Sequence, residues 1–420
     1  MKLALALIYF SALLLPLHAD PNKQWGHWRG PTGNGTSETA NPPVHWDAKK
    51  NIKWKTAIPG NGSSSPVVWG DKIFVTSAVG PVEGKAPRNK QRFTLFCIDR
   101  KNGKILWEKV AAETVPHEGH HDHHGFASAS PMTDGERVFA SFGSRGLFVY
   151  DMDGNLLWKR DDFGKMRTRN GFGEGSSPTL HGDTVIMPWD HEGPSKIIAI
   201  DAKTGKNRWE TPRDEPTSWD TPLVVEHGGK KQVITSGEKF AMGYDFDSGK
   251  EIWRCAGQTQ RPVASAVSAG GLVYIGSGFR GAFLGAFKLG AKGDLKGTKN
   301  VVWEKNRNTP DIASLLLSNG RLYYTARKSG ILSCVDAKTG KPHYEGERVD
   351  GVRDLYSSPV AAAGRVYITG RDGTTAVIED GDDLEVLATN RLGEPVDTTP
   401  ALVGKEVIIR GAKHLYLISK

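Results

Sequence analysis

The chain has 420 residues, with 55 Lys and Arg against 47 Asp and Glu for a net charge of +8, and 38% of its residues are hydrophobic. This composition can bury a core and excludes an intrinsically disordered chain. Fifty Gly and 23 Pro, about 17% of the sequence, are spread evenly, which favours short strands and turns over long helices, and three cysteines with no CxxC pair exclude a disulfide framework.

At the start, Lys2 precedes an apolar run over residues 3–17, shorter than the roughly 20 residues of a membrane-spanning helix. Charge, apolar core and a polar break predict a signal peptide over residues 1–19, ending at the small residue Ala19. No cysteine follows the run, so no lipid anchor is expected, and no later run predicts a transmembrane segment. A soluble, monomeric protein of the periplasm or extracellular space is expected. Residues 20–43 read as an N-terminal extension and residues 44–420 as one domain.

A repeat then recurs along the chain. It is clearest in AIDAKTGKNRW at residues 199–209 and drifts through FCIDRKNGKILW (96–107), VYDMDGNLLW (149–158), GYDFDSGKEIW (243–253) and SCVDAKTGKPHY (333–344). Asp closes a strand by accepting turn amides, Gly supplies the positive φ that turns the chain back, and the aromatic falls in the next strand. There its ring can fill the wedge between neighbouring sheets. The docking aromatics are Trp54, Trp107, Trp158, Trp209, Trp253 and Trp303.

A small residue or Thr next to Pro precedes each hairpin, as in SSPVVWGDKIFV at residues 64–75. Its counterparts begin around Pro131, Pro178, Pro222, Ala266, Leu315, Pro359 and Pro400, at separations of 41 to 65 residues. All but the first fall within the period of a four-stranded propeller blade. Outer strands follow the first seven units, at Trp107, Trp158, Trp209, Trp253, Trp303, Tyr344 and residues 384–387. The eighth lacks one, and IKWKTAI at residues 52–58 has the missing pattern. The expected fold is all-β, an eight-bladed propeller of four-stranded antiparallel blades whose last blade is closed by the N-terminal strand.

These motifs resemble the pyrroloquinoline quinone-like β-propeller repeat family, and the similarity spans residues 44–420. AIDAKTGKNRW is similar to that family's tryptophan-docking motif, and QWGHWRGPTGNG (24–35) resembles the start of its secreted bacterial members. The resemblance implies kinship with quinoprotein alcohol dehydrogenases and with the propeller lipoprotein of the outer-membrane assembly machinery. Many of those dehydrogenases carry two adjacent cysteines, whereas Cys97, Cys255 and Cys334 stand apart, and Cys97 and Cys334, at the position of Ala199 in the docking motif, read as small buried fillers. No segment announces the oxygen ligands of Ca²⁺ that a quinone enzyme needs.

Loops joining second to third strands, and each blade to the next, share one face of a propeller. The two largest insertions, residues 78–92 and 111–127, belong to these classes. HEGHHDHH places His117, His120, His121, His123 and His124 in the second, either as ligands for Zn²⁺, Ni²⁺ or Cu²⁺ or as a solvated polar loop. Basic residues recur in six of the turns between second and third strands, at Arg145, Lys239, Arg280, Arg327, Arg371 and Arg410, with Lys328 beside Arg327 and Lys413 close to Arg410. They are either a funnel that gathers anions or the ordinary cations of exposed turns. Asp190, His191 and Glu192 join the rim or fill a polar turn, and the glycine-rich residues 171–177 lead into a strand, which argues against a phosphate loop.

The leading expectation is a binding or scaffolding module of the bacterial envelope with an anion-accepting top face. Its partner would be an envelope protein, an acidic small molecule or an acidic glycan, with no firm cofactor. The alternative is a dehydrogenase that uses pyrroloquinoline quinone and Ca²⁺ to oxidise an alcohol or sugar. Nucleic acid is not expected, because no array interleaves cations with stacking aromatics.

Overall fold

The computed structural model describes residues 19–81 and 88–420. Apart from Ala19, the expected signal peptide lies outside the described residues, as does the tip of the first insertion. Eight sheets form an eight-bladed propeller. Blade 1 comprises Val67–Trp69, Lys72–Val79, Gln91–Asp99 and Ile105–Thr114. Blades 2 to 7 occupy residues 132–160, 179–213, 223–256, 267–305, 316–348 and 360–391, and blade 8 residues 401–419. Second strands such as Lys72–Val79 are buried on both faces, so they read as apolar runs, whereas Ile52–Ala57 alternates half-buried and exposed residues as an outer strand must.

Closure is as expected. Ile52–Ala57 pairs antiparallel with His414–Ser419, and Trp54 lies opposite Leu417, so this N-terminal strand and the last three strands of the chain share one blade and only short edges remain. Two additions were not foreseen. Gly293–Asp294 adds a parallel strand outside Glu251–Ala256 of blade 4, and Thr36–Ser37 adds one beside Val360–Ala362 of blade 7. The outer strand of blade 7 spans Val386–Arg391, two residues later than expected.

The docking aromatics work between repeats. The indole Nε1 of Trp54 donates to the carbonyl of Arg100 at 2.9 Å, Trp158 to Ala202 at 3.0 Å, Trp209 to Phe246 at 2.8 Å and Trp303 to Ala337 at 2.9 Å. Trp107 makes the same bond to Met152 at 3.3 Å. In each case the acceptor belongs to the turn of the following blade. Trp253 departs from this pattern: it donates to Gln232 Oε1 of its own blade at 3.0 Å and stacks on Phe287. The following blade has no Asp-to-Gly turn to receive it, because Gly293–Asp294 occupies that connection.

The residue preceding each Pro-like position supplies a hydroxyl to the channel axis, and these hydroxyls link the blades. Amides of Ser65, Ser130 and Thr221 donate to Ser130, Ser177 and Ser265. Those of Ser265, Ser314 and Ser358 donate to Ser314, Ser358 and Thr399, and Thr399 donates back to Ser65. All seven bonds measure 2.9 to 3.1 Å. The position reserved for small hydroxyl residues in the sequence is therefore a belt of cross-blade bonds.

The N-terminal extension crosses the opposite mouth. Trp25 exchanges backbone bonds with Val68, Gly26 accepts from Thr133, Asn34 pairs with Ser268, and Gly35 accepts from Ala361. Trp28 reaches Thr221 Oγ1 at 3.2 Å, and Arg29 donates to the carbonyls of Pro359 and Leu315. These residues lie near the turns between first and second strands, so the extension floors the channel on the face away from the long loops.

Candidate functional site at the channel mouth

Two residues before each belt hydroxyl, the extended chain again faces the axis, as a period of two requires. This upper tier holds Ser63, Ser128 and Gly175 over blades 1 to 3. Trp219, Val263, Ile312 and Tyr356 follow over blades 4 to 7, then Asp397 over blade 8. The lower tier is uniform and the upper tier varied, so the upper tier sets what the mouth accepts. Its apolar side opens into a cavity of about 170 Å³ walled by Trp219, Phe172, Tyr356, His121, Arg261 and Lys328. The Trp219 indole is fixed by a bond to the Gly173 carbonyl at 2.8 Å.

Arg261 was not expected here. Its side chain is only 13% exposed and stacks on the Phe279 ring at 3.4 Å. Its closest carboxylate, Asp311, is 3.7 Å away, beyond hydrogen-bond distance. Lys328 Nζ contacts Tyr356 Oη at 2.6 Å. Burial, followed by the Arg261 charge, holds the Lys328 ammonium below its usual range. Burial also lowers Arg261 and raises the Asp311 carboxyl.

The six basic turn residues do not form a uniform ring. Arg145 pairs with Glu174 at 3.0 Å, Lys239 with Asp214 at 2.6 Å, and Arg371 with Asp397 at 2.9 Å. Arg410 is buried between blades 8 and 1, donating to Ser64 Oγ and to the Thr76 carbonyl. Arg280 and Arg327 are exposed. Half-buried guanidinium groups need partners, so carboxylates interleave with the expected cations. Asp190 is likewise drawn inward: it accepts two bonds from Arg213, at 2.7 and 2.9 Å, while Glu192 accepts from Thr217 and His191 from the Arg167 amide.

The histidine loop is ordered across the mouth. His124 Nε2 bonds to the Phe172 carbonyl at 2.6 Å and its Nδ1 meets Ser128 Oγ at 2.9 Å; burial holds its pKa down to about 4. His120 bonds to the His121 carbonyl, His121 accepts the His123 amide, and His123 accepts from Arg371 at 2.6 Å. No three of these four rings present ligand atoms within 4.8 Å of one another. His117, Glu118 and Glu174 do converge to that distance, but Glu118 accepts from Thr168 and Glu174 from Ser144 and Arg145.

The aromatic and cationic walls fit the carboxylates of a quinone. They do not fit its Ca²⁺, because the upper tier offers one carboxylate, Asp397, already held by Arg371. The three cysteines are separate and buried, and burial pushes Cys97 up to about 12 and Cys255 to about 11.

The family model described as outer membrane protein assembly factor BamB matches residues 53–284. BamB of Burkholderia pseudomallei (strain K96243) is 27% identical over 158 residues, 37% of this chain and 32% of that protein. A polyvinylalcohol dehydrogenase of a Pseudomonas species is 22% identical over 286 residues, 57% of this chain and 41% of that one. The chain thus matches less than half the length of these curated relatives.

Among solved structures, BamB from Moraxella catarrhalis superposes with a TM-score of 0.58 at 12% identity, over 87% of this chain and 99% of that one. Quinohemoprotein alcohol dehydrogenase from Comamonas testosteroni gives 0.66 at 13% identity, over 96% and 81%. At such identities the superpositions show a shared fold, and fold does not fix chemistry. With more than half of its length matched by the BamB family model, and with blades joined by docking tryptophans, the chain belongs to the pyrroloquinoline quinone-like β-propeller family.

Proposed function

We propose that the protein is an exported binding or scaffolding module of the bacterial envelope whose channel mouth takes an anionic group carried on an apolar body. An acidic segment of an envelope protein is the preferred ligand, ahead of an acidic glycan or small molecule. The observation that carries this reading is Arg261, a largely buried guanidinium on the cavity wall without a hydrogen-bonded carboxylate. Such a group gains most from a ligand oxygen, while Trp219 and Tyr356 supply apolar area beside it. The relatives named as assembly factors agree with a protein partner.

The test is titration with a labelled peptide of Glu and Leu residues and with an anionic naphthalene sulfonate. The double variant Arg261→Gln/Lys328→Gln should weaken both by about tenfold or more, as loss of a charge-assisted contact requires, and flatten their salt dependence. Unchanged binding overturns the reading. The dehydrogenase alternative is favoured by the likeness to polyvinylalcohol dehydrogenase and by the aromatic wall. Retention of pyrroloquinoline quinone through gel filtration in Ca²⁺, with dye reduction by alcohols or aldoses, would establish it instead.

A further inference from the structure

Below the tier of Trp219 lies the hydroxyl belt, and none of the features assigned above uses the hydroxyl hydrogens of that belt. All eight hydroxyl residues line one cavity of about 160 Å³. Each is between 2% and 5% exposed. Seven hydroxyl oxygens accept an amide from a neighbouring blade, and Thr221 accepts from the Trp28 indole. Among the described residues, none of the eight O–H groups donates to a protein acceptor. A hydroxyl has one hydrogen to donate, so the axis is ringed by donors whose bonds remain to be made.

A hydroxyl could also turn its second lone pair inward, so the sign of the guest is decided by the surrounding charge. Two buried guanidinium groups flank the belt. Arg29, 2% exposed, donates to the carbonyls of Asn34, Leu315 and Pro359, and the last two adjoin the belt residues Ser314 and Ser358. Arg410, also 2% exposed, donates to Ser64, next to Ser65, and to Thr76 and Ser77. Neither has a carboxylate partner among the described residues. The one carboxylate lining the cavity, Asp397, is already bonded to Arg371. Uncompensated positive charge in a low-dielectric interior favours an anion.

We propose that the belt is an axial binding site for a small monovalent anion, either a free ion or the carboxylate of a bound ligand that reaches down the channel. The belt cavity adjoins the Arg261 pocket and shares Trp219 and Tyr356 with it, but the belt hydroxyls are not part of that pocket and Arg261 and Lys328 do not line the belt cavity, so the proposal stands without them. The guest would satisfy belt hydroxyls from several blades at once and balance Arg29 and Arg410.

The experiment uses crystals of the full chain grown in bromide, then exchanged into formate. An anomalous bromide peak on the axis in contact with belt hydroxyls is expected, lost on exchange to formate, and present also in Arg261→Gln/Lys328→Gln. Ordered water alone on the axis in bromide overturns the proposal, as does bromide seen only in the upper cavity and lost in that variant. In solution, the thermal midpoint of the unaltered protein should rise with bromide or formate at constant ionic strength and saturate, as ligand linkage requires. The double variant Ser130→Ala/Ser265→Ala should need about tenfold more bromide, and Ser130→Thr/Ser265→Thr should restore the response. A response that never saturates and is matched by sulfate counts against the site. Axial bromide in a protein that shows no peptide binding would support the belt and overturn only the pocket.

Discussion

Trp158 and Gly205 belong to different repeats, yet they make one contact: a Cβ on Gly205 would stand 2.8 Å from Cε3 of Trp158. The Gly lies in the turn of blade 3 and the Trp on the outer strand of blade 2. The same relation joins Trp54 to Gly103, Trp107 to Gly154, Trp209 to Gly249 and Trp303 to Gly340. Glycine is therefore required twice over at these turns, for a positive φ, +73° at Gly205, and for the ring that lies against it.

Gly205→Ala should destabilise the fold by about 2 kcal/mol, combining a strained φ with displacement of the ring. Gly70→Ala, at a turn of φ +56° with open space around it, should cost about 1 kcal/mol from the backbone alone. Denaturant unfolding reads both. In a double-mutant cycle, Gly205→Ala and Trp158→Ala should cost less together than the sum of the two, because they share one contact.

Trp54→Ala tests ring closure. The substitution should cost about 3 kcal/mol as a large ring is lost from the seam. Hydrogen exchange should accelerate first at His414–Ser419, its strand partner. Equal acceleration in all blades would show that the seam carries no special share of the stability.

Asp220 provides a signed pH test. Burial raises its carboxyl to about 7, from 3.8 for the free side chain. A raised acid pKa means that the folded state holds its proton longer, so a destabilising contribution develops as pH rises from about 4 and is complete above about 7. Asp220→Asn keeps an oxygen to accept the Ser236 amide and removes that contribution. The variant should therefore gain stability relative to the parent across this window, by an amount of order 1 kcal/mol. A difference that is flat with pH would contradict the assignment.

His124 is a brace for the loop over the channel. His124→Ala removes the bonds to Phe172 and Ser128 and should raise hydrogen exchange and protease cleavage across residues 115–128. Calorimetry with Zn²⁺ should show affinity no tighter than that of a histidine-rich peptide, before and after His120→Ala and His124→Ala. Tight binding abolished by either substitution would restore the metal reading.

The blade count and the closing strand were legible along the chain because each blade is a local object. Its strands are joined by short turns, and its signals, Asp and Gly at a hairpin and a hydroxyl residue before Pro, sit within one repeat. The two tiers facing the axis were also within reach, since residues two apart on an extended segment face the same way, and Trp219, Tyr356 and Asp397 each stand two before a hydroxyl. What only the tertiary structure decided lies between blades. Which Gly meets which Trp, the pairing of Arg145 and Arg371 with carboxylates, the burial of Arg410, and the crossing of Trp28 and Arg29 beneath the channel all join residues tens to hundreds of positions apart. Closing the ring brings those residues together, and burial then selects which charges must be paired and which donors are left facing the axis.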